Sequence, residues 1–542
     1  MSTTSQTTPP RLLTLVGAVL AALFAFPTIY LIRRNFSSDD DPAGSAADTG
    51  LIELLTSERT LAPLWRTVKL AVTVSLTAAL VGTALAWLTT RTDIPLRRLW
   101  RTILPLPLVF PTFIGAAAFI RTLNPGGLAS GLFTSVGFDQ APELRGFFGA
   151  WLVLSLFTYP YVYLPVAARL QRLPGSLEES ARVLGDSAAE AFRRIVIPQI
   201  ASAVAAGTLL VFLYTISDFG AVQLMRYDTL TRAIETNYLG RASLAFALSL
   251  FLLALAVVIV GFERALQRRT HTATSARSTQ SVGYSLGRWR VPGAAFVVAV
   301  GALSVGAPMI ALIDWASDGL LRASRNGRPL TIDSEAVMSA AQNTLESSVL
   351  AALAAVAAVL PIAFLVGRYK SRVGSLSHSV VIATFALPGI LIALSLRYWV
   401  LKSGIASDFF TDSKLVLIFA YVVRFGSLAM GITLVAVQAV PERFHDVGAT
   451  LGARRLRRLR TIDLPLMAPG LLAAIGLVLL STMKELPISL IIAPIGYRTL
   501  TTRIFGSFED AFVAETGIMA VVLVAMSAVL TWLLVLRRAE HQ

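Results

Sequence analysis

Asp218 and Glu485 lie 267 residues apart, each just past the end of an apolar run long enough to cross a membrane. A matched pair of carboxylates at the mouth of a pathway would suit a hard cation, which takes oxygen ligands. The same two residues suit helix ends that pack against their neighbours. Tyr159, Tyr161 and Tyr163 offer phenolic oxygens, although tyrosines between helices or at a membrane interface more often pack. Arg424 is the clearest ionisable side chain inside an apolar run, and such residues usually face a bundle interior for a reason. Asp218, Glu485 and Arg424 are therefore the candidates for a translocation pathway. The four histidines, His271, His378, His445 and His541, form no metal-spaced pair, and there is no cysteine. Disulfides, zinc–thiolate sites and iron–sulfur clusters are excluded, and no resident metal is expected.

Nucleotide chemistry is also missing. A phosphate-binding loop ends in Gly-Lys-[Ser/Thr]. Lys69, Lys370, Lys402, Lys414 and Lys484 follow Val, Tyr, Leu, Ser and Met, so none follows glycine. No cofactor is expected in this chain.

A different constellation occurs twice. The first half reads Pro174, Glu179-Ser180-Ala181, Gly185, Ile195, Ile197, Pro198. The second reads Pro441, Asp446-Val447-Gly448, Gly452, Ile462, Leu464, Pro465, at the same spacing. In the first copy Ser176 and Glu179 have the spacing of a capping box after Pro174-Gly175. Gly185 suits the left-handed residue that closes a short helix. Asp186 or Ser187 can cap a second helix, and Pro198 falls in the first turn of the next apolar run. The second copy keeps the outline without the capping box, with His445 and Asp446 in place of Glu178 and Glu179. Helices this short hold their shape by packing on something, here a soluble subunit. A single copy could be a basic interfacial helix; two copies at fixed spacing argue for an internal repeat.

The elements that position these residues are membrane spans. Hydrophobic residues make up 55% of the chain and charged residues 15%, against about 25% charged in soluble domains. A helix needs roughly 20 apolar residues to cross the hydrocarbon layer. Twelve runs qualify, near 12–32, 67–88, 102–121, 147–168, 198–217, 242–261, 291–313, 345–366, 378–398, 415–437, 466–484 and 515–536. The first is too long for a signal peptide and lacks a cleavage site. The net charge of +15 lies in short clusters between runs, the positive-inside pattern rather than a nucleic-acid face. Arg91, Arg97, Arg98 and Arg101, then Arg169 and Arg172, Arg264 and Arg277, Arg368 and Arg372, Arg454 to Arg460, and Arg537 and Arg538 occupy alternate loops. Both termini are thus expected in the cytoplasm. Asp39, Asp40 and Asp41 fall outside, and Arg33 and Arg34 are the exception to the rule. The Ser/Thr/Arg-rich stretch 270–288 reads as a cytoplasmic linker between two six-span halves.

The repeated loop resembles the cytoplasmic coupling loop of permeases from binding-protein-dependent ATP-binding cassette importers, whose pattern is Glu-Ala-Ala, three residues, Gly, nine residues, Ile-x-Leu-Pro. The resemblance implies an all-α type I importer permease with both halves fused. It implies an N-terminal segment 1–63, permease domains at 64–265 and 340–536, a connecting segment 266–339 and a tail 537–542. It further implies two cytoplasmic ATP-binding cassette subunits carrying ATP–Mg, an extracytoplasmic substrate-binding protein and a bacterial cell-membrane location. The chain would itself be no enzyme. Glu178, Glu179, Ala181, Gly185, Ile195 and Pro198, with His445, Asp446, Gly448, Gly452, Ile462 and Pro465, would couple to the ATPase subunits. Leu104-Pro105-Leu106-Pro107, Ser217-Asp218-Phe219-Gly220-Ala221 and Met483-Lys484-Glu485-Leu486-Pro487 are similar to segments of fused ferric-iron permeases. Thiamine and aminoethylphosphonate permeases share much of that pattern. An ion-coupled secondary transporter is the alternative of a different class, and it would call for matched broken spans and charges at depth.

Overall fold

The computed structural model describes residues 9–36, 51–135, 137, 139–141, 143–269, 283–317, 333–402, 404, 409–410, 413–441, 443–444, 447, 450–531 and 533. Asp39, Asp40, Asp41, His271, Arg277, His445, Asp446, Gly448, Arg537, Arg538 and His541 lie outside the described residues, as does the linker up to residue 282. Within them the chain is helical and without strands; one isolated bridge joins Thr92 to Tyr284.

Ten of the described helices are long and apolar enough to cross a membrane singly. They are Arg11–Phe36, Glu58–Arg91, Gly146–Arg172, Phe192–Ser217, Ala242–Gly261, Gly287–Ser317, Ser334–Gly367, Lys414–Ala439, Leu459–Thr482 and Val513–Leu530. We number them as spans one, two, four to eight and ten to twelve. Spans three and nine are not the straight crossings expected at 102–121 and 378–398. Arg97–Val109 meets Thr112–Leu123 at 103°, and Arg372–Ala386 meets Gly389–Lys402 at 104°. Proline is the cause. Its ring excludes the preceding residue from the helical region, and Phe110 before Pro111 and Leu387 before Pro388 are both extended.

A break at depth leaves backbone carbonyls that lipid cannot satisfy. In span nine Arg424 meets that need: its guanidinium donates to the carbonyls of Leu387 and, at 3.4 Å, of Phe385. Phe157 stands 267 residues earlier, and its ring packs edge-on against Phe110 and Phe119. There the Tyr159 hydroxyl donates to the Leu104 carbonyl at 2.8 Å. One repeat closes its break with charge, the other with aromatic packing. Arg424→Leu is expected to cost about 2–3 kcal/mol, the worth of charge-assisted hydrogen bonds, with Arg424→Lys recovering part. The thermal midpoint in detergent reads this out; an unchanged midpoint for the leucine variant contradicts the role.

By packing the chain forms two compact units. One comprises Ile52–Asn237 and Ala254–Asn326, that is, the first repeat with span seven. The other comprises Met1–Leu51, Tyr238–Leu253 and Gly327–Gln542: span one, the first turns of span six and the second repeat. The leading span of each half therefore packs with the other half's repeat. In the unit of the second repeat, Phe26 of span one meets Trp399 edge-on, and the Ser377 hydroxyl donates to the Gly17 carbonyl at 3.3 Å. In the unit of the first repeat, Arg121 donates to Asp314 of span seven through Nε at 3.0 Å and Nη2 at 2.7 Å. Close helix approach there uses small residues: an added Cβ at Gly82 or Gly207 would lie 2.8 Å from the backbone oxygen of Tyr159 or Tyr161.

The repeats agree down to single hydrogen bonds. The Leu230 N–H donates to Thr67 and the Leu500 N–H to Thr344, each at 2.8 Å. Thr231 donates to the Asp218 carbonyl at 2.7 Å, and Thr501 to the Glu485 carbonyl at 3.1 Å.

Candidate functional site

The first elbow begins with a helix over Gly175–Val183. Pro174 fixes the start one residue ahead of Ser176, which then lies within the first turn and caps nothing. The capping box expected at Ser176 and Glu179 is not formed. The same spacing recurs at Ser187 and Glu190, and there the box closes. The Ser187 N–H donates to Glu190 Oε2 at 2.9 Å, and the Glu190 N–H to the Ser187 hydroxyl at 3.3 Å. The Ser187 N–H, then its hydroxyl, holds the Glu190 carboxyl below its ordinary value. Between the helices Gly185 has φ +101°. The Asp186 N–H reaches the Ala181 carbonyl at 3.0 Å and the Gly185 N–H the Arg182 carbonyl at 3.1 Å, a Schellman closure.

The second helix does not end before the membrane. Ala188–Ala191 passes through a π-helical turn, Phe192–Val196, directly into Ile197–Ser217. Pro198 therefore follows a widened turn rather than opening a separate helix. Proline lacks an N–H and its ring crowds the carbonyl four residues back; widening the turn relieves both. The second copy does the same, with the π turn Leu459–Asp463 ahead of Pro465. Each elbow's second helix is thus the N-terminal extension of span five or span eleven. A displacement of the elbow is a displacement of that span.

Glu179 is exposed on the elbow, Ala181 and Ile195 are half-buried, and Pro198 is exposed. Leu184, immediately before the glycine, is 87% exposed, and its counterpart Leu451 before Gly452 is 80% exposed. Gly452 also has positive φ, +71°. Ile462 is half-buried and Pro465 exposed. An apolar side chain presented on a rigid turn is what a partner's pocket can take.

Glu178 behaves differently from its neighbour. It is fully buried and forms an ion pair with Arg91, also buried, at 3.1 Å between Oε1 and Nη1. Tyr284 donates its hydroxyl to Glu178 Oε2. The sequence carries no signal of this pair: by sequence Arg91 reads as one of a basic loop cluster and Glu178 as one of the expected coupling residues. Arg368, the counterpart of Arg91, turns instead to Asp463 in the π turn that opens span eleven, at 3.6 Å. Val196 stands where Asp463 does, so the two elbows are anchored by different means.

The candidate pathway acids occupy equivalent places in their units. Asp218 accepts from the Thr112 hydroxyl at 2.5 Å and the Ala221 N–H at 2.9 Å. Thr112 opens the second limb of span three. Glu485 lies against Gly389, which opens the second limb of span nine, too close for any Cβ there. A carboxylate at a helix N-terminus meets the positive end of its dipole. Tyr159 and Tyr163 spend their hydroxyls on the Leu104 carbonyl and Thr89. Tyr161 pairs with Tyr214.

Ten membrane-length helices and two bent pairs among the described residues, arranged in two repeats that each carry an elbow, define a membrane permease. The chain belongs to the family described as binding-protein-dependent transport system inner membrane component, which matches residues 78–272 and 359–539. It is 30% identical over 535 residues to the Fe(3+)-transport system permease protein FbpB 2 of Haemophilus influenzae, covering 97% of this chain and 98% of that protein. A probable ABC transporter permease protein of Sinorhizobium fredii, y4fN, is 25% identical over 89% of this chain and 87% of its own length. A probable molybdenum ABC transporter permease protein of Haloferax volcanii is 29% identical, matching 45% of this chain with 85% of itself. The last match fits a chain holding two permease domains.

Proposed function

We propose that this permease imports ferric iron, delivered by an external binding protein and driven by two cytoplasmic ATP-binding cassette subunits seated on the two elbows. Leu184 and Leu451, held out beside left-handed glycines, carry this reading, because they present matching apolar contacts at the inner ends of spans five and eleven. Glu179 with Ala181 and Gly185, and Gly452 with Asp446 and Gly448 in the sequence, complete the partner-facing surfaces. Nucleotide binding on the partners, as ATP–Mg, shifts the elbows and with them spans five and eleven. Both termini then lie in the cytoplasm, and the chain does no hydrolysis. Iron is supported by the name of the relative that matches nearly the full chain. Thiamine, aminoethylphosphonate, molybdenum oxyanions and other small solutes are the competing cargoes. Asp218, Glu485 and Arg424 act on this pathway by holding the two breaks in shape.

The matched breaks at Pro111 and Pro388 also suit an ion-coupled carrier. Vesicles holding the permease with its partner subunits and binding protein separate the two. With ion gradients collapsed and ATP supplied inside, uptake of labelled ferric iron is expected to continue and to stop without ATP. Uptake that needs a gradient and ignores ATP overturns the proposal. Thiamine or phosphonate transported in place of iron overturns the cargo alone.

A further inference from the structure

We propose that Tyr284 makes the segment joining the two repeats a working part of the first elbow: a strap that positions Glu178 of the coupling helix and ties it to the base of span seven. This rests on residues 175–198 being an ATPase contact.

Four contacts build the strap within one unit. The Tyr284 N–H donates to the Arg91 carbonyl at 2.7 Å, and its backbone bridges to Thr92. Its hydroxyl reaches Glu178, whose other oxygen faces Arg91. Two residues on, the Leu286 N–H donates to Asp93 at 3.0 Å. The Tyr284 ring lies 6.2 Å from Trp87, which also meets Phe192 at the start of span five's π turn. Span seven starts directly afterwards, at Gly287. Leu286 holds the Asp93 carboxyl below its ordinary value, and burial, then the bond to Glu178, pushes the Tyr284 hydroxyl up. The Tyr284 hydroxyl therefore stays a donor and the Asp93 carboxylate an acceptor throughout the physiological range.

A loop that served only to join two halves would need none of this. A hydrogen bond to a buried carboxylate is among the stronger kinds, and it is spent on one side chain of the coupling helix. A push on the first elbow then reaches span two through Arg91, span five directly and span seven through Tyr284. In the second repeat Glu178 is replaced by His445, and Arg368 pairs with span eleven itself. Among the described residues the two elbows are thus mechanically unequal, the first being linked to one more span.

Tyr284 is a positioning residue, so its test reads coupling and not only activity. In proteoliposomes holding the full chain and its partners, Tyr284→Phe is expected to lower substrate moved per ATP hydrolysed by roughly tenfold or more, the factor one hydrogen bond to a charged group sets. ATP hydrolysis and complex assembly should stay near wild type. A wild-type ratio for both Tyr284→Phe and Tyr284→Ala overturns the strap. Wild-type vesicles without ATP-driven uptake would instead sink the importer reading.

Discussion

Gly185→Glu is expected to abolish uptake while the protein still reaches the membrane. Gly185 sits at φ +101°, outside the comfortable range of any L-residue, and no atom lies within 4 Å of where its Cβ would be. The penalty is therefore in the backbone, about 1–2 kcal/mol or more for a non-glycine residue in the left-handed region, and not in crowding. The elbow relieves it by unwinding the closure that aims Leu184, so uptake should fall by ~5-fold to 30-fold for even Gly185→Ala. Glutamate adds a charge beside the apolar contact. At Gly452, with φ +71°, asparagine should be tolerated better than at Gly185, because asparagine accepts left-handed angles. Uptake and membrane content measured together decide this. Wild-type uptake by Gly185→Glu contradicts the coupling role.

Removing Arg91 should be the most damaging single change to the stability of the first repeat. Arg91 and Glu178 are 1% and 0% exposed, so Arg91→Met strands a carboxylate away from water. Breaking one side of a buried pair costs about 3–5 kcal/mol. Replacing both sides with apolar residues of similar size costs far less, so Arg91→Met/Glu178→Leu should recover most of the loss. Arg368→Met should be milder, since its contact with Asp463 is longer, at 3.6 Å. Thermal midpoints in detergent for the three variants test the order. A double variant no better than the single one would show that the pair is not the cause.

The elbows were legible in the chain because their signals are local. A glycine at a helix end, a proline before an apolar run and a repeated spacing each act over a few residues. The bends at Pro111 and Pro388 were not legible. Apolar composition continues across them, so a count of hydrophobic residues sees one crossing where the backbone turns through about a right angle. The capping box went to Ser176 rather than Ser187 because Ser-x-x-Glu occurs twice within the loop, and only Pro174 decides which copy stands at a helix start. The Arg91–Glu178–Tyr284 cluster joins residues 87 and 106 positions apart. Such burial is a property of packing, and basic loop residues look alike until the chain has folded.

The exchange of leading spans has a consequence for how the chain is made. Span one is complete at Phe36, but the repeat it packs with starts at Ser334, roughly 300 residues later. At about 5–20 residues per second of synthesis, the helix waits ~15–60 s in the bilayer for its seat. The first repeat likewise stays open until span seven arrives. Neither unit can mature during translation of its own half, so a ribosome that stalls midway leaves two unfinished bundles rather than one finished and one absent. Joining both halves in one reading frame guarantees that the missing helix is always on its way.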